Sequence, residues 1–451
     1  MKTLWVLFIC ALGLTVQAQV AYKCEDNFKV FEGKVVAKEY SEGYTLLPEL
    51  RKSCPKVNAK LYSYGETILK FLIESALTPE EGQLAVDDLV ALYGEQEKNF
   101  PGTGGDIKKT QLQLENKLIS ENDAYKAFNS SFLKNRQAFT DFNALETYFN
   151  LFLKEYKSGK GITDEQYIEK FGEISGQIIY AQNKITADKE ALLLKQETAV
   201  LTDEEKQFLT DAQSIHDSFD AVNDNISIAS RDILSCQKME AYYDSRFEAN
   251  KANAVWLEAM VSALYAKKCF TSPVMNKGAL AINTLKPTKQ TAYRLGYLAL
   301  KKNNNKDAVK YFEQAASLEM VPEKRGNIYY EIAAAYNYSD KAEAKKYALK
   351  AADFNPKSGE PYLLLAEMYT TVGKECEIND FDRKALAWLA IDAAKKAEKA
   401  EPKYKTTVAK LIERYSKKLP TKAEAKAAGK KKGDVIAYGC WINEKITVPN
   451  L

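Results

Sequence analysis

The 451-residue sequence predicts an all-α protein of antiparallel helical hairpins, with a long hairpin in its middle region and one short β-hairpin at its C-terminus. Three observations carry that prediction. Four helix starts share one form: Thr78-Pro79-Glu80-Glu81, Thr163-Asp164-Glu165-Gln166, Thr202-Asp203-Glu204-Glu205 and Thr421-Lys422-Ala423-Glu424. In each, the threonine hydroxyl accepts from an orphan backbone N–H, and the acid or amide three residues on reaches back to the cap. A pattern of small and large residues recurs between residues 292 and 402 with a period of about 34. Strand-like alternation is nearly absent before "KGDVIAYGCWINEKITVPNL" at residues 432–451.

Met1-Lys2-Thr3, the apolar run from Leu4 to Val16 and the Val16-Gln17-Ala18 site read as a secretory signal peptide over residues 1–18. Cys10 lies mid-run without a small residue before it, so it is no lipid-attachment cysteine and is expected to leave with the leader. No later run approaches the roughly 18 apolar residues of a membrane span. The chain is therefore expected to be exported and soluble, in the periplasm or on the outer surface. Sixty-four Lys and Arg face 61 Asp and Glu. These charges are interspersed, which serves solubility and argues against nucleic acid. Lys422, Lys426 and Lys430 to Lys432 form one basic patch, read as a solvated helix face, with acidic lipid or glycan as the alternative.

Residues 19–101 read as degenerate helical hairpins. Phe28, Phe31 and Val35 share one helical face; Tyr44, Leu47 and Leu50 share the next, which ends at Pro55. Leu61, Tyr64-Gly65 and Ile68 begin a further pair that ends at Pro101. Pro101 to Asp106, "PGTGGD", has the composition of a flexible joint.

Residues 102–272 are helical without the 34-residue period. Ile168, Phe171, Ile174, Ile178 and Ile185 give an imperfect seam from Thr163 to about Thr198, and Phe208, Ile215, Phe219 and Val222 give a returning helix. Gln182 and Lys189 interrupt the first seam, so the pair reads as a long hairpin rather than a continuous coiled coil.

Residues 273–419 hold the repeats. The first has Leu295-Gly296, Ala308, Phe312 and Ala315. The second has Tyr329, Ile332-Ala333 and Tyr336, then Ala344, Ala348 and Ala351, with a turn one residue shorter. The third has Tyr362, Leu365-Ala366 and Tyr369, then Ala390, Ala394 and Ala397. Small residues let two helices approach, large ones fill between pairs, and Pro322, Pro356 and Pro402 end the units. This is the spacing of tetratricopeptide (TPR) repeats, which implies a TPR-type solenoid. The third unit carries an insertion around "GKECEINDFDRK", which includes Cys376. Residues 420–451 read as a capping helix and a β-hairpin turning at Asn443-Glu444, with Trp441 covering apolar surface of the last repeat.

Without Cys10, six cysteines remain, and six allow 15 pairings. Cys24 and Cys54 bracket one pair of helices, Cys236 and Cys269 another, each at the open ends of a hairpin. This repetition favours sequential pairing, which joins Cys376 to Cys440. Together, the leader, the TPR-like units, "SCPKVNAKLYSYGETILK" and "YGCWINEKITVP" resemble exported TPR proteins of the Bacteroidetes cell envelope, whose role is mostly undefined. The resemblance spans residues 19–100 and 290–451 and implies an envelope scaffold without activity. In that group a cysteine in the last repeat's insertion accompanies a C-terminal Gly-Cys-Trp, matching Cys376 and Gly439-Cys440-Trp441 here.

Chemistry-bearing motifs are sparse. His216 is the only histidine and reads as a helix-surface residue; with no Cys/His cluster, no zinc site is expected. Gly102 to Gly105 lacks the preceding strand and following Lys of a phosphate loop. Glu74-Ser75 faintly resembles a lyase Glu-Ser pair but lacks the glycine-rich core around it. No catalytic residue, metal or cofactor is expected.

Binding is better supported. In a TPR array the first helix of each pair lines the groove, which here places Tyr293, Tyr297 and Lys301, then Tyr330, Asn337 and Tyr338, then Glu367 along it. Tyrosines stand where a two-carboxylate clamp would place Lys and Asn, so an extended or apolar peptide, or a sugar face, suits the groove better. Packing between repeats is the competing role for these tyrosines. The expected function is thus a non-enzymatic scaffold for a protein or peptide partner, with a glycan-binding module as the first alternative and an enzyme on the middle helices as the second.

Overall fold

The computed structural model describes residues 23–159 and 161–450. Residues 1–18, which the sequence suggests are a secretory leader, lie outside them, with Cys10. The chain divides into two compact units, Met1–Leu151 and Phe152–Leu451. The fold is all-α, with 20 α-helices and one two-stranded sheet among the described residues.

The first unit contains α1 (Cys24–Val36), α2 (Tyr40–Ser53), α3 (Lys60–Ser75), α4 (Pro79–Asn99), α5 (Gly105–Glu115) and α6 (Glu121–Lys134). α7 (Phe142–Lys157) runs across the division. Phe31, Leu47, Leu50, Leu61, Ile68 and Leu92 are wholly buried at the heart of this core. Gly65 permits the close approach, because a Cβ there would stand 3.1 Å from both Leu47 and Leu92. A disulfide joins Cys24, which opens α1, to Cys54, just past α2. Arg51 adds a half-buried fork, with Nε and Nη2 each 2.9 Å from the Glu95 carboxylate and Nη1 on Asp88. The Pro101-to-Asp106 stretch is a packed turn rather than a loose joint. Gly102 and Gly104 take φ of 84° and 85°, and a Cβ on Gly105 would overlap the Tyr93 carbonyl.

The second unit opens with the long hairpin, α8 (Asp164–Gln196) and α9 (Asp203–Ala229). Thr163 and Thr202 form the reciprocal capping boxes their sequences predict, as does Thr421 at α20 (Lys422–Ala427). Thr78 departs: its hydroxyl accepts from the Glu81 N–H, but the Glu81 carboxylate takes the N–H of Leu77 instead. The α8 seam is also shared in a way its periodicity does not reveal. α8 packs more extensively on α11 (Ala254–Ala266) than on α9, because Gly172 and Gly176 face Ala259. α10 (Cys236–Asn250) and α11 are tied at their open ends by the Cys236–Cys269 disulfide.

α12 (Pro273–Leu285) leads into three repeat hairpins: α13 (Lys289–Lys301) with α14 (Asn305–Leu318), α15 (Pro322–Tyr336) with α16 (Lys341–Phe354), and α17 (Glu360–Thr370) with α18 (Asp380–Ala400). Each helix packs on its neighbours in sequence, most extensively within a hairpin (α13 on α14, α15 on α16, α17 on α18), as a TPR-type solenoid requires. The small positions close the helix pairs: Ala308, Ala333, Ala344, Ala366 and Ala390 are wholly buried, and Gly296 lies against Phe312. Pro322 acts as a starter, at the first turn of α15, rather than only as a stop.

α19 (Lys405–Ser416) packs on α18 and buries Val408 and Tyr415. β1 (Val435–Ala437) and β2 (Lys445–Thr447) pair antiparallel with Ile436 opposite Ile446. The connection is the whole of residues 438–444, wider than the predicted turn at Asn443-Glu444, and it puts Cys440 (φ 57°) and Asn443 (φ 40°) in the left-handed region. The wide loop has work a tight turn has no length for. Cys440 is bonded to Cys376, Trp441 stacks on Tyr369 with centroids 6.0 Å apart, and Ile442 is wholly buried. Buried Lys345, on α16, donates to the Ile442 carbonyl and stands 2.7 Å from Glu444. The ribbon thus leans on the flanks of the last two repeats, while α19 covers the outer face of α18.

Candidate functional site

The repeat helices position the candidate side chains. Tyr293 stands on α13 with its ring 5.2 Å from Phe312 and its hydroxyl donating to Glu331 at 3.4 Å. Burial, reinforced by Glu331, pushes its phenol well above the ordinary value. One turn on, Tyr297 joins an aromatic cluster with Phe270 at 5.6 Å and Tyr265 at 6.3 Å, and Lys301 lies over its ring at 5.0 Å.

Both tyrosines line a cavity of about 500 Å³. Lys301, Tyr330, Asn337, Tyr338 and Glu367 are all outside the lining. Tyr330 is half-buried against the repeat core; burial and the nearby Glu360 and Glu331 raise its phenol to about 12. α15 ends at Tyr336, so the last two groove positions of that repeat fall in a turn. Asn337 is consequently buried at the helix end and Tyr338 is 89% exposed. Glu367 is exposed on α17.

The opposite wall comes from the long hairpin. Gln182, Asn183, Thr186 and Glu190 on α8, and His216 and Asp220 on α9, face Tyr293, Arg294 and Glu331 across the space. Repeat spacing alone does not reach these residues. The available signal was Gln182, a polar residue breaking an apolar seam. It is buried, and its amide donates to Asp220 at 2.7 Å and towards the His216 carbonyl at 3.4 Å.

Most charges in the cavity are neutralised locally. Glu190 meets Lys289 and, at 2.8 Å, Lys324; Lys289 also lies 3.0 Å from Glu319. Burial pushes the Glu190 carboxyl up, but the two lysines outweigh it and hold it below the ordinary range. His216 Nδ1 lies 3.4 Å from Asp220 and is half-buried, so it is a wall residue rather than the simple surface histidine expected. His216, Asp217 and Asp220 bring ligand-capable atoms within 4.8 Å of one another. All three stand on one helix, both aspartates are exposed, and Gln182 and Gln213 already donate to them.

Two groups differ. Arg294 makes no ion pair or hydrogen bond among the described residues and only lies 6.0 Å over the Tyr265 ring; Glu258, out of ion-pair range, is the carboxylate that acts on it. Glu331 has the Tyr293 hydroxyl but no cation among the described residues. Burial raises its carboxyl, Tyr293 pulls it back, and Glu360 adds to the rise.

Among the described residues no helix is long and apolar enough to cross a membrane. No family model matches this sequence, and no curated protein matches it. Among solved structures, a tetratricopeptide repeat protein from Parabacteroides merdae aligns over 68% of this chain and 96% of its own, at 12% identity and a TM-score of 0.22. The TPR domain of P58(IPK) aligns over 90% of this chain and 99% of its own, at 9% identity and a TM-score of 0.25.

Proposed function

We propose that this protein is an exported, non-enzymatic scaffold of a Bacteroidetes-type cell envelope, whose repeat helices hold a protein or peptide partner. The observation that carries the reading is the placement of Tyr293 and Tyr297. Both line a solvent-connected cavity, and Tyr293 keeps 37% of its surface exposed while its ring packs on Phe312. Tyrosine offers a partner a large apolar face and one polar tip at low entropic cost. Export is supported by six cysteines joined as three disulfides, which suit an oxidising compartment.

The test is capture from envelope extract with the wild type, a Tyr293→Ala/Tyr297→Ala variant and a Tyr338→Ala control. The double variant is expected to lose partners that the control retains. Equal capture by all three removes the groove assignment. A glycan-binding role is the second reading, because Gln182, Asn183, Gln290 and Asn327 set amides beside the aromatic rings. Binding to an oligosaccharide panel with no protein captured would establish that reading in place of the first.

A further inference from the structure

The cavity between the long hairpin and the repeat helices has a charge inventory that does not close on itself. Glu190, Lys289, Glu319 and Lys324 satisfy one another at one end, and His216, Asp220 and Gln182 form a second contact group. Asp220, beside that amide and imidazole, is exposed to water, so the half-buried charges left are one cation, Arg294, and one anion, Glu331, each without an ion-pair partner among the described residues. Charges withdrawn from water are ordinarily paired, because desolvation costs more than a lone hydrogen bond returns. Two uncompensated charges of opposite sign, on α13 and α15, line the same cavity.

We propose that this cavity binds a small zwitterion, a free amino acid or a short peptide, with its carboxylate on Arg294 and its ammonium on Glu331. The guanidinium offers a planar fork that matches a carboxylate, and a carboxylate accepts from an ammonium. The remaining lining decides the side chain. Tyr265, Tyr293 and Tyr297 supply ring faces, and Ile179 and Ile328 supply aliphatic surface, so an aromatic or large apolar side chain fits. About 500 Å³ is within the range of small-molecule sites and accommodates one or two residues, not a folded partner. The raised Glu331 carboxyl accords with a group awaiting a cation.

This site goes beyond the scaffold reading and is tested without any macromolecular partner. Calorimetric titration of the mature chain uses free phenylalanine, tyrosine and leucine and the dipeptide alanyl-phenylalanine as probes. Each is also offered as its N-acetyl derivative and its C-terminal amide. Saturable binding by at least one free zwitterion is expected, weakened about tenfold or more by either blocking group. Arg294→Gln should abolish the discrimination against amides and Glu331→Gln the discrimination against N-acetyl forms. The blocked probes act on the wild type, so the result does not depend on either variant folding. No binding by any free probe, or binding indifferent to both blocking groups, overturns the proposal and leaves the capture experiment untouched.

Discussion

Gly296 lies so close beneath the ring of Phe312 that a Cβ in its place would stand 2.6 Å from two ring carbons. The ring has nowhere to go, because Phe312 is wholly buried between α13, α14 and the next repeat. Gly296→Ala is therefore expected to destabilise the protein by about 1–3 kcal/mol through overpacking. Gly33, inside α1 with nothing within 4 Å of its Cβ position, is the control. Gly33→Ala should stabilise by up to about 1 kcal/mol, from helix propensity alone. Thermal melts of the two variants should move in opposite directions.

One buried cation, Lys345, helps to hold the ribbon. Lys345→Ala removes the donor to the Ile442 carbonyl and the partner of Glu444. A cost of about 1.5–3 kcal/mol is expected. Limited proteolysis should reveal it as earlier cleavage within residues 432–450, with the repeats still resistant.

Cys376→Ser/Cys440→Ser opens a covalent loop with a sequence separation of 64. The chain-entropy model assigns such a closure about 4 kcal/mol. The variant should melt well below the wild type under oxidising conditions, and reductant should erase most of the difference. Alkylation and intact mass on the wild type check the premise, since all six described cysteines should be protected.

Alkali should unfold the protein over a defined window. Burial raises Tyr167 to about 12, and burial with neighbouring carboxylates raises Tyr330 to about 12; Tyr293, Tyr369 and Tyr438 shift upward as well, mainly through burial. A raised native value means that the folded state holds the phenol proton more tightly than the unfolded chain does. The stabilisation is fully present below the ordinary tyrosine value of about 10 and is lost as the pH climbs through about 12. Tyrosinate absorbance should show these phenols ionising only as helical circular dichroism collapses. Titration of all tyrosines near pH 10 with helix intact would contradict it.

What could be read from the sequence divides along a physical line. Capping boxes are contained within four consecutive residues, so Thr163, Thr202 and Thr421 declare their helices directly. The repeat positions are equally local, because Gly296, Ala333 and Ala366 need only the next helix as context. The site is legible only in part. Tyr293 and Tyr297 follow from repeat spacing, but Asn337 and Tyr338 do not reach the cavity because one missing turn residue ends α15 before them. The α8 wall depends on how a helix outside the repeats packs, and no period in the repeats encodes that. Arg294 and Glu331 look like ordinary charged helix residues until the ion pairs of Glu190, Lys289, Glu319 and Lys324 beside them are seen.

The bond between Cys376 and Cys440 also changes how the chain bears load. Tension applied downstream of Cys440 passes through the sulfurs straight to the loop between α17 and α18. α18, α19 and α20 lie inside the covalent ring and are bypassed by that force. Pulling from that side cannot peel the last helices away one by one. Once the segment beyond Cys440, with β2, is drawn out, the force acts on the helices preceding Cys376, and reduction would bring α18, α19 and α20 back into its path.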